Sequence, residues 1–505
     1  MNMDRWSPVI LSLVTFIPLA GALLLTLLPR RDRDIRVFAL VVSLLTFVLS
    51  LHLPVHFHRA QAGFQYQIDT PWIPTPDIHY HLGVDGISMW LVVLTTFLTP
   101  LCVLISWKSI QQRVKEFFIL LLVLETAMMG VFVTLDLFLF YFFWEATLIP
   151  MALLIGMYGH GRKVYAAVKF FMYTMIASVF MLAAILWLYA KIGTFDFVTI
   201  QNAIRAGQVA NFAGAAQWLF LGFFIAFAVK VPLFPFHTWL PDAHVEAPTA
   251  GSVLLAGILL KMGTYGMLRF NLGLFPEQAR ANAWWVMILA LIGIIYGALV
   301  ALVQPNMKKL IAYSSVSHLG FVILGVFSFT PAGLDGATLV MLAHGISTGA
   351  LFMLAGILYE RRHSYEISEF GGLASSMPVY AAFFLFMVLA SVGLPLLNGF
   401  VGEFLVLSGA FQARAVYGVL GATGVIWSAA YLLWLYQRVF FGKIMHPVNQ
   451  TLSDLDVRER VALLPAAAAA LVMGVAPLLW LNAIDPAVHT ALAPFEQLAS
   501  KVAGQ

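Results

Sequence analysis

Residues 227–266 read FAVKVPLFPFHTWLPDAHVEAPTAGSVLLAGILLKMGTYG, and this stretch decides the fold. It holds two apolar runs, and each run contains one lysine, Lys230 or Lys261. Pro232 and Pro235 interrupt the first run, which predicts a helix that breaks inside a membrane. A lone charge at the centre of a bilayer costs several kcal/mol, so each lysine requires a partner, water or a neutral state. The stretch therefore predicts a membrane protein with charged groups buried between its helices.

The composition of the whole chain agrees with this interpretation. Its 505 residues are 61% hydrophobic and only 10% charged, and the mean hydropathy is +0.90. These values exclude a soluble enzyme, a disordered chain and a secreted disulfide scaffold. Because a spanning helix needs about 20 mostly apolar residues, we expect an all-α polytopic membrane protein with about 14 transmembrane helices. The candidate spans are 7–28, 36–52, 84–106, 117–134, 137–158, 165–190, 215–238, 248–268, 284–304, 309–328, 336–359, 378–409, 417–441 and 459–483.

Two of these spans contain a break at a corresponding position. Pro395, Gly393 and Gly399 interrupt the twelfth span as the prolines interrupt the seventh. Paired discontinuous helices indicate an internal repeat with a site near the middle of the membrane. We expect two inverted five-helix repeats, helices 4–8 and 9–13, with helices 7 and 12 discontinuous. The predicted regions are 1–116 with helices 1–3 and an outer loop, 117–270 and 284–441 with the two repeats, and 442–505 with helix 14 and a tail.

The basic residues predict the orientation of the chain. Assigning loops alternately to the two sides places 17 of the basic residues on one side and 8 on the other. The positive-inside rule then puts both termini on the non-cytoplasmic side. The longest outer loop, 53–83, contains four prolines and alternating polar and aromatic residues. We expect this loop to fold back as a hairpin.

Several classes of cofactor and partner do not fit the sequence. Cys102 is the only cysteine, so this chain alone cannot build a disulfide, an all-cysteine zinc site or a cysteine-ligated iron–sulfur cluster. The net charge is +4, but the basic residues are thinly spread, which argues against nucleic acid as a partner. No phosphate-cradling motif occurs. We expect no cofactor and no metal in this chain.

Charged and titratable residues inside the spans point to a proton relay. Glu145 is predicted to stabilise Lys230 in its charged form, and weakening that pair would release the lysine's proton toward Lys261. Histidines gain and lose a proton near neutral pH, so they could carry protons between Lys261 and Glu403, the acid that follows the second break. The predicted relay residues are Glu145, Lys230, Lys261, His318, His344 and Glu403. The alternative is a set of structural ion pairs and hydrogen-bonded histidines.

Other polar residues carry weaker signals. Glu125 belongs either to the same network or to a local buried contact. His237 and His244 follow the first break, where a water-accessible funnel or a connecting loop is favoured over a metal site, because their separation exceeds usual zinc-ligand spacing. The same low expectation of a metal site applies to the histidine pairs of the outer loop, His56, His58, His79 and His81. Lys169, close to a span boundary, is expected to snorkel to water.

The sequence resembles the antiporter-like membrane subunits of respiratory complex I and their relatives in multi-subunit sodium/proton antiporters. The quoted stretch carries most of the likeness, and it continues through LDLFLFYFFWEATLIPM (135–151), KKLIAYSSVSHLG (308–320) and LNGFVGEF (397–404). The resemblance implies fourteen helices with two inverted repeats, and a proton channel at Glu145, Lys230, Lys261 and Glu403 with bridging histidines. Most of the family has lysine at the position of Glu403. In having glutamate there, this sequence resembles the subunit M type.

The resemblance also implies a location and partners. It implies that NADH, FMN, iron–sulfur clusters and quinone bind to partner subunits, and that neighbouring antiporter-like subunits and the lipid bilayer contact this chain. An energy-transducing membrane is implied, of the bacterial inner membrane type. Two alternatives remain open: a subunit of a sodium/proton antiporter or membrane-bound hydrogenase, and a scaffold that transports nothing.

Overall fold

The computed structural model describes residues 9–59 and 61–503, with side chains up to residue 498. Its first part is helical except for one hairpin. The helices are Ile10–Leu27, Asp32–Ser50, His52–His56, Ser88–Ser109, Val114–Val133, Leu137–Ala146, Leu148–Tyr158, Lys163–Ile192, Phe197–Arg205, Phe212–Lys230 and Trp239–Glu246. Strands Gln65–Ile73 and Ile78–Val84 pair antiparallel. The hairpin predicted for the outer loop is therefore present, and the fold is mostly rather than entirely helical.

The second part begins with the helical span Thr249–Leu274, which we call the central helix. It contains two π-helical turns, Leu255–Leu259 and Met267–Asn271. The α-helices that follow are Pro276–Leu302, Met307–Val326, Pro331–Arg362, Leu373–Ser376, Pro378–Val392, Asn398–Ala413, Ala415–Phe440, Val457–Val475 and Leu478–Ala503. Ile367–Glu369 and Pro447–Thr451 form short 3-10 turns.

Both predicted helix breaks are present. The first broken helix consists of Phe212–Lys230 and Trp239–Glu246, and the turn between them contains Pro232 and Pro235. The second broken helix consists of Pro378–Val392 and Asn398–Ala413. At its break Gly393 adopts φ +80°, a left-handed conformation that favours glycine. The first break leaves the end of Phe212–Lys230 inside the protein, whereas Leu394 and Leu396 at the second break are exposed on the outside of the chain.

Two helices form the core. The apolar windows of the central helix and of Pro331–Arg362, which we call the long buried helix, are completely enclosed by other elements. A helix that is apolar all round belongs in such an interior position. Lys163–Ile192 and Ala415–Phe440 are mostly exposed along their spans and lie at the periphery. Polar residues on the two core helices are therefore shielded from both water and lipid.

The predicted membrane architecture is confirmed in outline. Within the described residues, twelve helices are long and apolar enough to cross a membrane. Helices Val457–Val475 and Leu478–Leu498 meet at a 67° bend, and they raise the number to thirteen if they form one span. The predicted fourteen also counts the second broken helix, whose halves are each too short to qualify alone. The number fourteen, the inverted repeats and the four region boundaries stay predictions.

Candidate functional site

Lys261 lies at the centre of the enclosed core. Its side chain is fully buried on the central helix, directly after the π-helical turn Leu255–Leu259. Such turns inside α-helices are frequent at functional sites. The ammonium group donates to the Ala256 carbonyl oxygen, and its Nζ lies 2.6 Å from Nδ1 of His344. One of the predicted bridging histidines is thus in direct contact with the predicted central lysine.

Small residues bring the two core helices close enough for this contact. A Cβ atom added at Gly345 would lie 2.6 Å from Leu94 Cδ2 and 3.0 Å from the Gly257 carbonyl oxygen. A side chain at 345 would therefore push the long buried helix away from the central helix. Gly345 directly follows His344, and Gly257 lies one helical turn before Lys261. The close approach thus sets the distance between the lysine and the histidine.

From His344 the polar line continues to the second broken helix. The rings of His344 and His318 have centroids 5.7 Å apart. His318 Nδ1 lies 3.1 Å from Glu403 Oε1, and both side chains are buried. A Cβ at Gly393 would lie 3.0 Å from the second carboxylate oxygen of Glu403, so the glycine at the break makes room for this acid. Four predicted relay residues therefore form one continuous line: Lys261, His344, His318 and Glu403.

A small cavity lies beside this line. It has a volume of about 10 Å³ and is lined in part by His318, His344, Ser347, Ser391 and Glu403. Such a volume holds about one water molecule. Among the described residues, Nε2 of each histidine and the hydroxyl of Ser391 have no hydrogen-bond partner. The cavity therefore offers a water several polar contacts between the two rings.

The other two predicted relay residues form a separate pair. Lys230 ends the first half of the first broken helix, where the partial negative charge of the helix C-terminus favours a cation. Its ammonium group is fully buried, lacks a hydrogen-bond partner among the described residues, and lies 5.3 Å from the Trp144 ring centroid and 5.5 Å from that of Phe170. Glu145 accepts a hydrogen bond from Ser178. The predicted pairing of Glu145 with Lys230 is thus an electrostatic interaction without direct contact.

Helix geometry places Glu145 near the middle of its span. Pro150 lacks the N–H that would bond to the Ala146 carbonyl oxygen, and the span divides at Thr147, one residue after Ala146. Glu145 is half-buried, with Ser178 on one side. It is therefore the relay candidate most open to the exterior of the chain. No hydrogen bond among the described residues joins Lys230 to Lys261.

The three weaker candidates do not join the line by hydrogen bonds. Glu125 is fully buried, and neither carboxylate oxygen has a hydrogen-bond partner among the described residues. His237 packs against Tyr296, with ring centroids 5.2 Å apart. His244 stacks on Phe352 at 4.4 Å, and it lies close enough to Lys261 for electrostatic interaction. His244 is thus a neighbour of the central lysine, whereas His237 and Glu125 occupy separate environments.

Sequence reasoning missed a third buried lysine. Lys308 lies just before the predicted span 309–328, yet it is 1% exposed, and its Nζ donates to the Ala247 carbonyl oxygen at 2.6 Å. Asn306 caps the helix that follows, which puts Lys308 in its first turn. Spacings of three and four residues then place Lys308, Ile311, Ser315 and His318 on one helix face. That periodicity was the available signal.

Several ion pairs in or near the core also went unpredicted. Arg269 donates to Asp85 at 2.5 Å, and both side chains are nearly enclosed. Arg269 lies two helical turns beyond Lys261, so the central helix carries both groups on one side. Lys169 bonds Asp242 at 2.7 Å with a side chain only 18% exposed. An acid on the first broken helix reaches Lys169, and both side chains are partly exposed, so the expectation that this lysine snorkels to water stays a prediction.

The histidines of the hairpin bind separate carboxylates. His79 Nδ1 lies 2.6 Å from Asp69 Oδ1, and this hydrogen bond raises the pKa of His79 above its usual value. His81 Nδ1 lies 2.6 Å from Asp196 Oδ2. Burial alone would raise the pKa of Asp196, but the hydrogen bonds from His81 and Thr199 together outweigh it and the pKa is lowered. In the described ranges, no group of three histidine, cysteine or acidic residues is arranged to hold a metal.

Comparison with known proteins assigns the chain to a family. A family model described as NADH:quinone oxidoreductase/Mrp antiporter, TM, matches residues 134–427. The chain belongs to this family. A second model, the amino terminus of NADH-ubiquinone oxidoreductase chain 4, matches residues 13–132 of this member of the NADH:quinone oxidoreductase/Mrp antiporter family. The resemblance stated from the sequence is therefore confirmed.

Relatives of this family member cover nearly its whole length. It is 48% identical over 491 residues to NADH-quinone oxidoreductase subunit M of Rhodobacter capsulatus, covering 95% of each chain. It is 43% identical over 481 residues to NADH-ubiquinone oxidoreductase chain 4 of Marchantia polymorpha, covering 95% of this chain and 96% of the relative.

Solved structures share the fold. A chain of respiratory complex I from Thermus thermophilus with bound NADH matches with a TM-score of 0.87 and 34% identity, covering 96% of this chain and 99% of that chain. A chain of the Mrp complex from Dietzia sp. DQ12-45-1b matches with a TM-score of 0.85, covering 97% and 98% of the two chains. Its identity is only 19%, so this likeness concerns the fold alone.

Proposed function

We propose that this chain is the proton-translocating membrane subunit, of the subunit M type, of an NADH:quinone oxidoreductase. The observation that carries the proposal is the line from Lys261 through His344 and His318 to Glu403, with contacts of 2.6 Å and 3.1 Å at its ends. Structural ion pairs alone do not account for two neighbouring histidines beside a cavity that polar side chains line in part. The relatives named subunit M and chain 4 support the assignment to this complex.

Each step of the relay transfers a proton between neighbouring groups. The Lys261 ammonium can pass a proton to Nδ1 of His344, and the ring then carries a proton at Nε2 toward the small cavity. A water held there can pass it to Nε2 of His318, whose Nδ1 faces Glu403. Histidine suits this role because its two nitrogens can accept and donate on opposite sides of the ring.

Glu145 and Lys230 are proposed to control the relay. An ionised Glu145 favours the charged form of Lys230, although the two groups do not touch. Protonating Glu145, or moving it away, would leave Lys230 with only two aromatic faces and a helix end to stabilise its charge. Lys230 would then release its proton. Because Glu145 is half-buried, a neighbouring subunit can act on it, and this is how quinone reduction elsewhere would drive the relay.

The proposal assigns the redox chemistry to other subunits. NADH, FMN, iron–sulfur clusters and quinone would bind to those subunits, and neighbouring antiporter-like subunits would flank this chain in the bilayer. The membrane would be energy-transducing, of the bacterial inner membrane type, with both termini on the non-cytoplasmic side. The distribution of basic residues supports this orientation. The two five-helix repeats would span 117–270 and 284–441.

The proposal is tested on complexes purified through a tag on this chain and sealed into vesicles. NADH-driven quinone reduction and lumen acidification are recorded together for the wild type and for Lys230→Ala. We expect both activities in the wild type and a strong loss of acidification in an assembled variant. Unchanged acidification would reduce Lys230 to a structural residue. If no NADH activity co-purifies and a sodium gradient drives proton movement, the chain belongs to an antiporter instead.

A further inference from the structure

A groove at one end of the spanning helices combines two arginines with aromatic residues. Arg280 and Arg414 both line it, together with Trp284, Tyr417 and Phe329, and its volume is about 500 Å³. Arg280 lies in the second turn of Pro276–Leu302, and Arg414 precedes the first residue of Ala415–Phe440. The groove therefore sits where two neighbouring membrane helices begin on the same side. We call it the two-arginine groove.

The helix length places the arginines at the level of lipid headgroups. Helix Pro276–Leu302 has 27 residues, and at 1.5 Å per residue it is about 40 Å long. The hydrocarbon core of a bilayer is only about 30 Å thick. The first turns of this helix, including Arg280, therefore extend beyond the hydrocarbon. Trp284 and Tyr417 are the residue types that favour this interfacial depth.

The positive charge of the groove is not neutralised within the described part of the chain. Neither Arg280 nor Arg414 forms an ion pair or a hydrogen bond there, and the guanidinium of Arg414 lies 5.7 Å from the ring centroid of Tyr417. Glu496 is on the rim of the groove, but it makes no ion pair with either arginine. Two arginines against one exposed acid leave the groove positively charged. Arginine binds phosphate with a planar pair of donors, which suits an anionic headgroup.

Below the arginines the surface becomes apolar. Trp284 is 62% exposed and Ile288, one turn further into the membrane, is 41% exposed. On the neighbouring helix, Leu420, one turn after Tyr417, is 43% exposed. A phosphate near the arginines would therefore have its acyl chains along these side chains. The positive charge of the arginines matches an anionic headgroup, and the apolar surface deeper in the membrane matches the acyl chains of the same phospholipid.

We propose that the two-arginine groove binds the headgroup of an anionic phospholipid, whose acyl chains lie along Pro276–Leu302 and Ala415–Phe440. Zwitterionic lipids gain less from the same contacts, because their own cation opposes the arginines. The inference concerns lipid binding and does not depend on proton translocation by this chain. Each basic residue at the interface favours binding of an anionic over a zwitterionic lipid about fivefold. The two arginines together therefore give a preference of about 25-fold for the anionic lipid.

The site is tested by photo-crosslinking in the intact complex. The variant Ile288→p-benzoylphenylalanine is placed in nanodiscs containing equal amounts of phosphatidylglycerol and phosphatidylcholine. After irradiation, mass spectrometry of the peptide carrying the probe gives the ratio of the two lipid adducts. We expect phosphatidylglycerol to exceed phosphatidylcholine about 25-fold. The excess should disappear when Arg280→Gln and Arg414→Gln are added.

Two matched variants guard against misassembly and general charge effects. Arg280→Lys with Arg414→Lys keeps both charges and should retain most of the preference. Arg205→Gln removes an exposed arginine outside the groove and should leave the ratio unchanged. Equal adducts in the probe variant with both arginines present would overturn the proposal. An adduct with a peptide of another subunit would also overturn it, because a protein partner would then cover the groove.

Discussion

Replacing Lys230 with methionine tests whether this lysine carries protons or only stabilises the fold. Methionine has a similar length and flexibility, so it fits between Trp144 and Phe170 without a large change of volume. The substitution removes a buried cation that has no hydrogen-bond partner among the described residues. We therefore expect Lys230→Met to leave the folded complex intact while stopping proton release at this position.

The magnitude follows from two opposing contributions. The two aromatic faces, at 5.3 Å and 5.5 Å, stabilise the cation, and each such contact contributes about 0.5–2 kcal/mol. Burying a charge costs several kcal/mol even after relaxation, and replacing both members of a buried ion pair by apolar groups is often neutral or stabilising by about 1–4 kcal/mol. The same range applies to Lys230 alone, because no carboxylate contacts its ammonium group and none loses a direct partner in the substitution. The expected net change in the free energy of unfolding is therefore between about zero and about 4 kcal/mol of added stability.

A buried salt bridge provides the matched control. Arg361 donates to both carboxylate oxygens of Glu459, at 2.9 Å and 2.7 Å. Arg361→Met leaves the buried Glu459 carboxylate without this partner, which should cost about 3–5 kcal/mol. Thermal unfolding of the purified complexes measures both variants, and vesicle acidification is recorded beside it. A loss of stability in Lys230→Met as large as in the control would refute the reasoning, because Lys230 would then be a structural residue.

Three further predictions concern other parts of the chain. Asp85→Asn leaves Arg269 buried without a counter-ion and should cost about 3–5 kcal/mol, measured by thermal unfolding. His318→Gln should abolish most proton translocation in an assembled complex, whereas His237→Gln, off the line, should leave acidification near the wild-type rate. The hydrogen bond with Asp69 raises the pKa of His79, and it stabilises the hairpin fully at pH values below 6.5, the ordinary pKa of this side chain. The stabilisation is lost as the pH rises through the raised pKa. The protection factors of residues 65–84, which are corrected for the intrinsic exchange rate at each pH, should therefore fall over that range, and His79→Gln should remove this fall.

Each of these predictions has a contrary outcome. Full stability of Asp85→Asn would mean that Arg269 finds another anion or water. Equal acidification by His318→Gln and His237→Gln would remove His318 from the path. Protection factors of the hairpin that do not change with pH, or that change equally after His79→Gln, would show that the contact with Asp69 contributes no measurable stability.

The residues that connect Lys261 to Glu403 could be predicted from the sequence, because charged and titratable residues are rare within membrane spans. Lys261, His318, His344 and Glu403 stand alone within apolar runs, so each called for a partner. The partners themselves depend on helix packing. The contact between Lys261 and His344 requires the close approach at Gly257 and Gly345, and no pattern within either helix specifies which helices meet.

Residues near span boundaries were harder to place. The sequence places Lys308 and Arg269 just outside predicted spans, where loop or interfacial cations are expected. Mean hydropathy is averaged over many residues, so it does not show how deeply one side chain is buried among the helices. Their burial depends on elements distant in sequence, namely the Ala247 carbonyl oxygen and Asp85. The Glu145 and Lys230 interaction was predicted, but its lack of direct contact was not, since that spacing is set by the rings of Trp144 and Phe170.

The central claim is that protons pass through Lys261 toward Glu403. The most direct measurement is the initial rate of lumen acidification by sealed vesicles containing the complex with Lys261→Gln, at saturating NADH. Glutamine keeps a donor near Ala256 and His344 but carries no exchangeable charge. The account predicts that the rate falls about tenfold or more, which corresponds to a barrier higher by at least about 1.4 kcal/mol, in a complex of unchanged composition. A rate within about twofold of the wild type would contradict it, since a twofold change corresponds to only about 0.4 kcal/mol.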